Sequence, residues 1–225
     1  MNRKIESGHD FWAERWSLGQ TGFHEGAPNE LLVKHIGRIE DVKPRGRILV
    51  PLSGKAVDLR WLAERGHDVV GVEFVEDAVH AYFDEQKLSP VASVIGGAPA
   101  LSAGGVTLVR GDFFELASSA QPLGSFDVIY DRAALVAIAP PLRPRYVEAC
   151  RAVLARGGLT FLITFAYDQT RAPGPPFSVD AATVNELFAA ASVSIESLET
   201  RATTSSKRLA DAGISAIMET AYLIR

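Results

Sequence analysis

Short apolar runs and longer amphipathic stretches alternate along this chain. Five runs are rich in β-branched or aromatic residues and are bounded by Gly, Asp or charged residues, which is typical of buried parallel strands. They cover residues 47–52, 68–73, 106–109, 126–130 and 158–165. Between them, residues 57–62, 76–86 and 143–154 carry apolar side chains at helical spacing. Strands that alternate with helices predict a parallel sheet covered by helices on both faces.

The last third of the chain has a different order of elements. A helical stretch at residues 180–191 is followed by two strand-like runs, 194–203 and 215–223, which a polar segment joins. We expect these two runs to pair antiparallel at one edge of the sheet. The predicted fold is therefore α/β and Rossmann-like, with a mostly parallel seven-stranded sheet, an antiparallel C-terminal edge strand and helices on both faces.

Two segments fall outside this alternation. Residues 88–105 are rich in Ser, Pro, Ala and Gly, and we interpret them as a surface connection. Residues 1–40 precede the first strand and contain Phe11, Trp12 and Trp16, followed by a helix predicted after Pro28. This aromatic and helical segment either covers the sheet edge or forms a cap over a ligand site.

Composition narrows the class of protein. A chain of 225 residues with 47% hydrophobic residues is expected to form one domain, residues 1–225, with a substantial core. Its net charge of −4 argues against nucleic-acid binding, which needs a basic face. There is no apolar run long enough to span a membrane and no signal-peptide pattern at the N-terminus. Since Cys150 is the single cysteine, an internal disulfide and a cysteine metal cluster are excluded, and we expect a cytoplasmic monomer without a metal.

A turn and a carboxylate at the ends of the first two predicted strands are candidates for ligand binding. Residues 51–55 form a Gly-containing turn after the first strand, at the edge where such sheets bind ligands. Glu73 ends the second strand, 19 residues after Gly54, where a carboxylate can accept hydrogen bonds from both ribose hydroxyls. Both features also fit an ordinary strand–helix turn and a solvated carboxylate.

The next two strands are followed by polar and aromatic residues. Asp112 and Phe113 could hydrogen-bond and stack on an adenine, or serve as a helix N-cap and a core residue. Asp131 and Arg132 follow the fourth strand, at the centre of the sheet. Arg132 is suited to bidentate binding of a ligand carboxylate, although a structural ion pair is the alternative.

A stiff loop follows the fifth strand. Residues 167–178 contain three prolines and a glycine in the run 173–176. The loop leaves the same carboxyl edge as the other candidates, so it is expected to form a wall of the site, or else a rigid connector.

Taken in order, these residues resemble the thiopurine S-methyltransferase family in its bacterial type. The motifs are Phe11-Trp12-x3-Trp16, Gly22-Phe23-His24, Pro51-Leu52-Ser53-Gly54-Lys55, Gly66-His67-x-Val69-Val70-Gly71-Val72-Glu73, Asp131-Arg132-Ala133-Ala134-Leu135 and Gly174-Pro175-Pro176-Phe177. The resemblance runs from about residue 11 to the C-terminus. It differs at Ser53, where the family usually has Cys, and at Asp112, where animal members carry another small polar residue.

The resemblance implies a class I methyltransferase fold, the cofactor S-adenosyl-L-methionine and a set of site residues. The cofactor-binding residues it implies are Trp12, Trp16, Leu52, Glu73, Asp112, Phe113 and Arg132, with Glu73 at the ribose and Arg132 at the methionine carboxylate. The residues implied for the methyl acceptor are Phe23, His24, Tyr167, Pro176, Phe177 and Arg208. No catalytic base is assigned; His24 and Arg208 are candidate positioning groups.

The predicted activity is methyl transfer to the sulfur of a small aromatic or heterocyclic thiol, such as a thiopurine. Acceptors of related chemistry, namely halide, aliphatic thiols or selenium and tellurium compounds, form the alternative within the same class. A nicotinamide-dependent oxidoreductase is disfavoured because the Gly-x-Gly-x-x-Gly pattern is missing. A cofactor-binding module without turnover is the third hypothesis.

Overall fold

The computed structural model describes residues 8–21, 24–120, 123–190 and 192–225. Its strands are β1 (Arg47–Pro51), β2 (Asp68–Glu73), β3 (Val91–Ile95), β4 (Ala98–Ala103), β5 (Val106–Arg110), β6 (Phe126–Arg132), β7 (Leu154–Ala166), β8 (Ile195–Thr204) and β9 (Ala216–Ile224). They form a nine-stranded sheet in the order β3-β4-β5-β2-β1-β6-β7-β9-β8. The central strands β5, β2, β1, β6 and β7 run parallel, while β3, β4, β8 and β9 pair antiparallel at the two edges.

Helices cover both faces of the sheet. They are α1 (His9–Ser17), α2 (Glu30–His35), α3 (Gly37–Glu40), α4 (Val57–Glu64), α5 (Glu76–Glu85), α6 (Phe113–Ala117), α7 (Arg143–Val153), α8 (Ala181–Phe188) and α9 (Lys207–Asp211). Side-chain caps fix three starts: Asn29 accepts from Leu31 N and Leu32 N in α2, Asp112 accepts from Phe114 N in α6, and Asp180 accepts from Thr183 N in α8. No helix in the described ranges is long and apolar enough to cross a membrane.

The predicted fold class is confirmed, but the sheet has nine strands where the sequence predicted seven. The prediction of a surface connection at 88–105 was wrong, because β3 and β4 form a hairpin that extends the sheet beside β5. Gly96 and Gly97 make its turn with φ of 63° and 77°. The hairpin lacks the apolar pattern of a buried strand because β3 is an edge strand, where Val91 and Val94 are each 72% exposed.

Alternate residues of the central strands pack into different cores. In β1, Leu49 contributes to the core under α6, α7 and α8, whereas Ile48 and Val50 contribute to the core under α2, α4 and α5. All three side chains are buried. Burial of each is worth roughly 1.5–3 kcal/mol, so both faces hold the strands in place and fix where their carboxyl ends lie.

The strand order reverses between β1 and β6. From β1 the chain continues to β2 and β5 on one side, and it returns through β6 and β7 on the other. Leu52 after β1 and Ala133 after β6 have positive φ values of 50° and 68°, an unusual conformation for residues with a side chain. Such strain is often found at functional sites, and ligands of doubly wound sheets bind at this reversal point.

Candidate functional site

A cavity of about 1360 Å³ opens at the carboxyl edge of the sheet. Its walls come from the strand ends at the reversal point, from α1 and the segment before α2, from the proline loop and from α9. The predicted site residues that line it are Trp12, Trp16, His24, Leu52, Glu73, Arg132, Pro176 and Arg208. The tertiary fold therefore brings together residues from both ends of the chain.

Glu73 is held at the end of β2 by main-chain donors. Its Oε2 accepts from Gly54 N at 2.9 Å, and its Oε1 accepts from Val75 N at 2.7 Å. The residue is buried yet lines the cavity. A carboxylate can accept several hydrogen bonds at once. Gly54 and Glu73, which are 19 residues apart in the chain, are thus in direct contact.

Gly71 lets the turn after β1 approach β2. A Cβ atom at this position would lie 2.5 Å from Leu108 Cδ2 and 2.6 Å from Ser53 Oγ. The turn is fastened by Ser53 N, which donates to Val72 O at 3.0 Å. The small residues at 53 and 71 therefore set how close the turn lies to Glu73.

Arg132 reaches the cavity from the end of β6 and forms an ion pair with Glu25. The Arg132 side chain is 9% exposed and that of Glu25 is 45% exposed. In the same cluster, Asp58 is buried and accepts from Asn29 N at 2.8 Å and from Tyr130 Oη at 2.9 Å. Burial raises the pKa of Glu25 and of Asp58, and the positive charge of Arg132 opposes both shifts. The result is a mixed cluster of charges at one end of the cavity.

His24 lies beside cations at the cavity wall. Burial lowers its pKa, and the charge of Lys55 lowers it further. Lys55 pairs with Glu85, and its Nζ lies 6.0 Å from the centre of the Trp16 ring. The imidazole is therefore expected to be neutral at neutral pH, able to donate or accept a hydrogen bond rather than to carry charge.

The proline loop is braced by side chains. Arg208 donates to the carbonyl oxygens of Gly174, at 2.6 Å, and of Pro175. Tyr167 Oη donates to Pro176 O at 2.5 Å, and Gln169 Oε1 accepts from Ser178 N at 2.6 Å. These hydrogen bonds brace the loop, and Arg208 is tied into it.

Several predicted residues lie elsewhere. Asp112 caps α6 by accepting from Phe114 N at 2.7 Å, while Phe113 is buried and packs 5.8 Å from the Tyr146 ring. Asp112 is therefore a helix N-cap and Phe113 a core residue, which are the alternative roles that the sequence allowed for them. These two residues, Tyr167 and Phe177 are outside the lining of the cavity. Phe23 is outside the described residues, so its predicted role is not tested.

The structure adds site residues that sequence reasoning missed. Glu25, Asp58 and Arg15 have no motif of their own, and only the adjacency of Glu25 to His24 pointed toward the site. Arg15 lines the cavity from α1, with its guanidinium 4.3 Å from the centre of the Phe11 ring. Within the described ranges, no group of three His, Cys, Asp or Glu residues is arranged to hold a metal ion.

Comparison with known proteins gives a consistent result. The model of the family described as Thiopurine S-methyltransferase matches residues 7–225. Over 217 residues the chain is 40% identical to a thiopurine S-methyltransferase of Xanthomonas axonopodis pv. citri (strain 306), covering 96% of this chain and 98% of the relative. It is 45% identical over 179 residues to that of Xanthomonas campestris pv. campestris (strain 8004), covering 80% and 81%.

Solved structures of similar shape are more distant in sequence. A SAM-dependent methyltransferase from Anabaena variabilis ATCC 29413 has a TM-score of 0.63 at 15% identity, covering 95% of this chain and 94% of that chain. The DhpI–SAM–HEP complex has a TM-score of 0.60 at 15% identity, covering 98% and 99%. At such identities the likeness establishes the fold.

Proposed function

The chain belongs to the thiopurine S-methyltransferase family of S-adenosylmethionine-dependent methyltransferases, and from that premise we propose that it methylates the sulfur of a small aromatic or heterocyclic thiol. S-Adenosyl-L-methionine is the proposed methyl donor, with the acceptor against the proline loop. Because the chain belongs to a methyltransferase family, we no longer retain the hypotheses of a nicotinamide-dependent oxidoreductase and of a cofactor-binding module without turnover.

The geometry of Glu73 carries the proposed cofactor site. Its two oxygens are fixed by Gly54 N and Val75 N at the cavity wall, which is the position where ribose hydroxyls would donate to a carboxylate at the end of the second strand. Arg132 supplies a cation in the same cavity for the methionine carboxylate. Trp12 and Trp16 line the cavity from α1, which supports a cap that includes α1.

The acceptor side requires placement more than proton transfer. The cofactor supplies a methyl group already activated on a sulfonium, so the protein's part is alignment and electrostatics. An aromatic thiol ionises readily, and the cation Arg208 favours its thiolate form. The lowered pKa of His24 makes its imidazole a weaker base, which favours a positioning role over that of a general base.

A first experiment tests the cofactor site through Glu73. Glu73→Gln keeps the side-chain shape but removes the charge and replaces one acceptor oxygen with an NH2 donor, so affinity for S-adenosylmethionine should fall by roughly 1–3 kcal/mol. Calorimetric titration measures this, and Glu76→Gln on α5 is the control, since Glu76 pairs with Arg110 outside the cavity. Unchanged affinity of the Glu73 variant, or binding of NAD in place of S-adenosylmethionine, contradicts the proposal.

A second experiment identifies the acceptor. Methyl transfer from labelled cofactor is measured against thiopurines, aliphatic thiols, iodide and selenite, with wild type and Arg208→Ala. We expect turnover of aromatic thiols that drops in the Arg208 variant, because that variant loses both a cation and the brace on Gly174 and Pro175. Turnover of iodide or selenite alone would assign the alternative acceptor class. A single-domain chain, a monomeric state and a cytoplasmic location remain predictions.

A further inference from the structure

The ion pair between Glu25 and Arg132 presents both signs of charge to the cavity. Arg132 comes from the central strand β6, whereas Glu25 lies on the segment that leads from α1 to α2. Both residues line the cavity, and the Glu25 carboxylate remains about half exposed. The pair therefore offers a cationic surface and an anionic surface side by side.

The environment keeps this carboxylate in place. Glu25 forms an ion pair with Arg132, and hydrogen bonding to the Asn29 side chain opposes the rise that burial causes in the pKa of Glu25. Asp58, the buried carboxylate of the cluster, is already satisfied by Asn29 N and Tyr130 Oη. Glu25 is thus the carboxylate of this cluster that faces the cavity.

A free α-amino acid group carries a negative carboxylate and a positive ammonium group, which are complementary to the positive Arg132 and the negative Glu25. Its carboxylate matches Arg132, and its ammonium group, on the adjacent carbon, matches a carboxylate next to that arginine. If a ligand carboxylate merely displaced Glu25 from Arg132, the half-buried carboxylate would lose its counter-charge, which is costly. A ligand that brings an ammonium group restores that counter-charge.

Building on the cofactor site proposed above, we propose that Glu25 binds the α-ammonium group of the methionine end of the cofactor while Arg132 binds its carboxylate. Glu25 is then a specificity residue, which makes the site select a zwitterionic amino-acid end over a simple carboxylate. Because Arg132 and Glu25 lie next to each other, a ligand must place its carboxylate and its ammonium group in matching positions to bind both.

The test compares two ligands on two proteins. S-Adenosylhomocysteine and its analogue with hydrogen in place of the α-amino group are titrated calorimetrically into wild type and Glu25→Gln. We expect wild type to prefer the amino ligand at least about 10-fold, as for a charge-assisted hydrogen bond. In Glu25→Gln most of that preference should disappear through weaker binding of the amino ligand, with the analogue changed less than about 3-fold.

Matched variants separate this role from general effects. Glu30→Gln, which removes an exposed carboxylate that pairs with Arg201, should keep the wild-type preference. Glu25→Asp, which keeps the charge, should retain part of it, and unchanged thermal unfolding shows that the variants are folded.

Three results would overturn the assignment. Equal weakening of both ligands by Glu25→Gln would show that Glu25 only shapes the site. Tighter binding of the amino ligand would show that Glu25 competes with it for Arg132. If wild type binds neither ligand, the cofactor proposal itself fails, and the role of Glu25 fails with it.

Discussion

Two buried carboxylates at the carboxyl ends of the strands have different roles: Glu73 faces the cavity, and Asp131 fixes a turn. Glu73 is held by main-chain amides and faces the cavity. Asp131 is buried in β6 and accepts from Leu135 N at 3.0 Å and Tyr146 Oη at 2.8 Å. Asp131 thereby fixes the turn that follows Arg132, while burial raises its pKa to about 6.

The raised pKa of Asp131 makes stability depend on pH. The folded-state pKa lies above the ordinary 3.8, so the folded protein binds more protons between the two values. The stabilisation from this proton uptake is full below the lower value and is lost as pH rises through about 6. We compare urea unfolding of wild type and Asp131→Asn. The wild-type free energy of unfolding should fall relative to the variant by roughly 2 kcal/mol between about pH 4 and about pH 7. A pH-independent difference would rule out this titration.

At the scale of elements, the turn from β1 into α4 depends on its contact with β2. Ser53 N bonds to Val72 O, Gly54 N bonds to Glu73, and Gly71 leaves room for both. Periodicity predicted these strands and the helix after them. It could not show the contact of residue 53 with residue 71, which arises only when β1 and β2 pair.

Gly71→Ala should therefore damage both fold and site. The added Cβ meets Leu108 and Ser53 well inside contact distance, and such overpacking costs typically about 1–3 kcal/mol. The displaced turn should also weaken S-adenosylmethionine binding. Gly37→Ala in α3 is the control, because nothing lies within 4 Å of its added methyl group. Urea unfolding should show the control unchanged or stabilised by up to about 1 kcal/mol; equal stability of the two variants would contradict the role of Gly71.

At the scale of the whole molecule, the two cores share the same strands. Because Leu49 and Ile48 point to opposite faces of β1, loss of one core removes support from the other. The chain should consequently unfold as one unit. The prediction that residues 1–225 form a single domain therefore implies cooperative unfolding.

Calorimetry tests that prediction together with cofactor binding. We expect a single transition whose calorimetric and van't Hoff enthalpies agree. S-Adenosylhomocysteine at about 100 times its Kd should add about 2.7 kcal/mol. For a chain of this size, that raises Tm by roughly 5–11 °C. A separate low-temperature transition would indicate that part of the chain, such as the N-terminal segment, folds independently.

Sequence patterns predicted the strands and helices of the central sheet and the edge at which the candidate site lies. Hydrophobic periodicity is a local property, and parallel strands align their carboxyl ends, so the relative placement of Leu52, Glu73 and Arg132 followed from their positions in the chain. The order and spacing of the motifs also pointed to the family, because both are properties of the chain alone.

Features that depend on contacts between distant residues became visible only in the folded chain. The hairpin of β3 and β4 escaped prediction because an exposed edge strand needs no apolar pattern. The contacts of Glu25 with Arg132 and of Arg208 with the proline loop join residues far apart in the chain, and they depend on how loops return to the sheet. Loop placement results from packing and charge in three dimensions, which the local spacing of residue types does not encode.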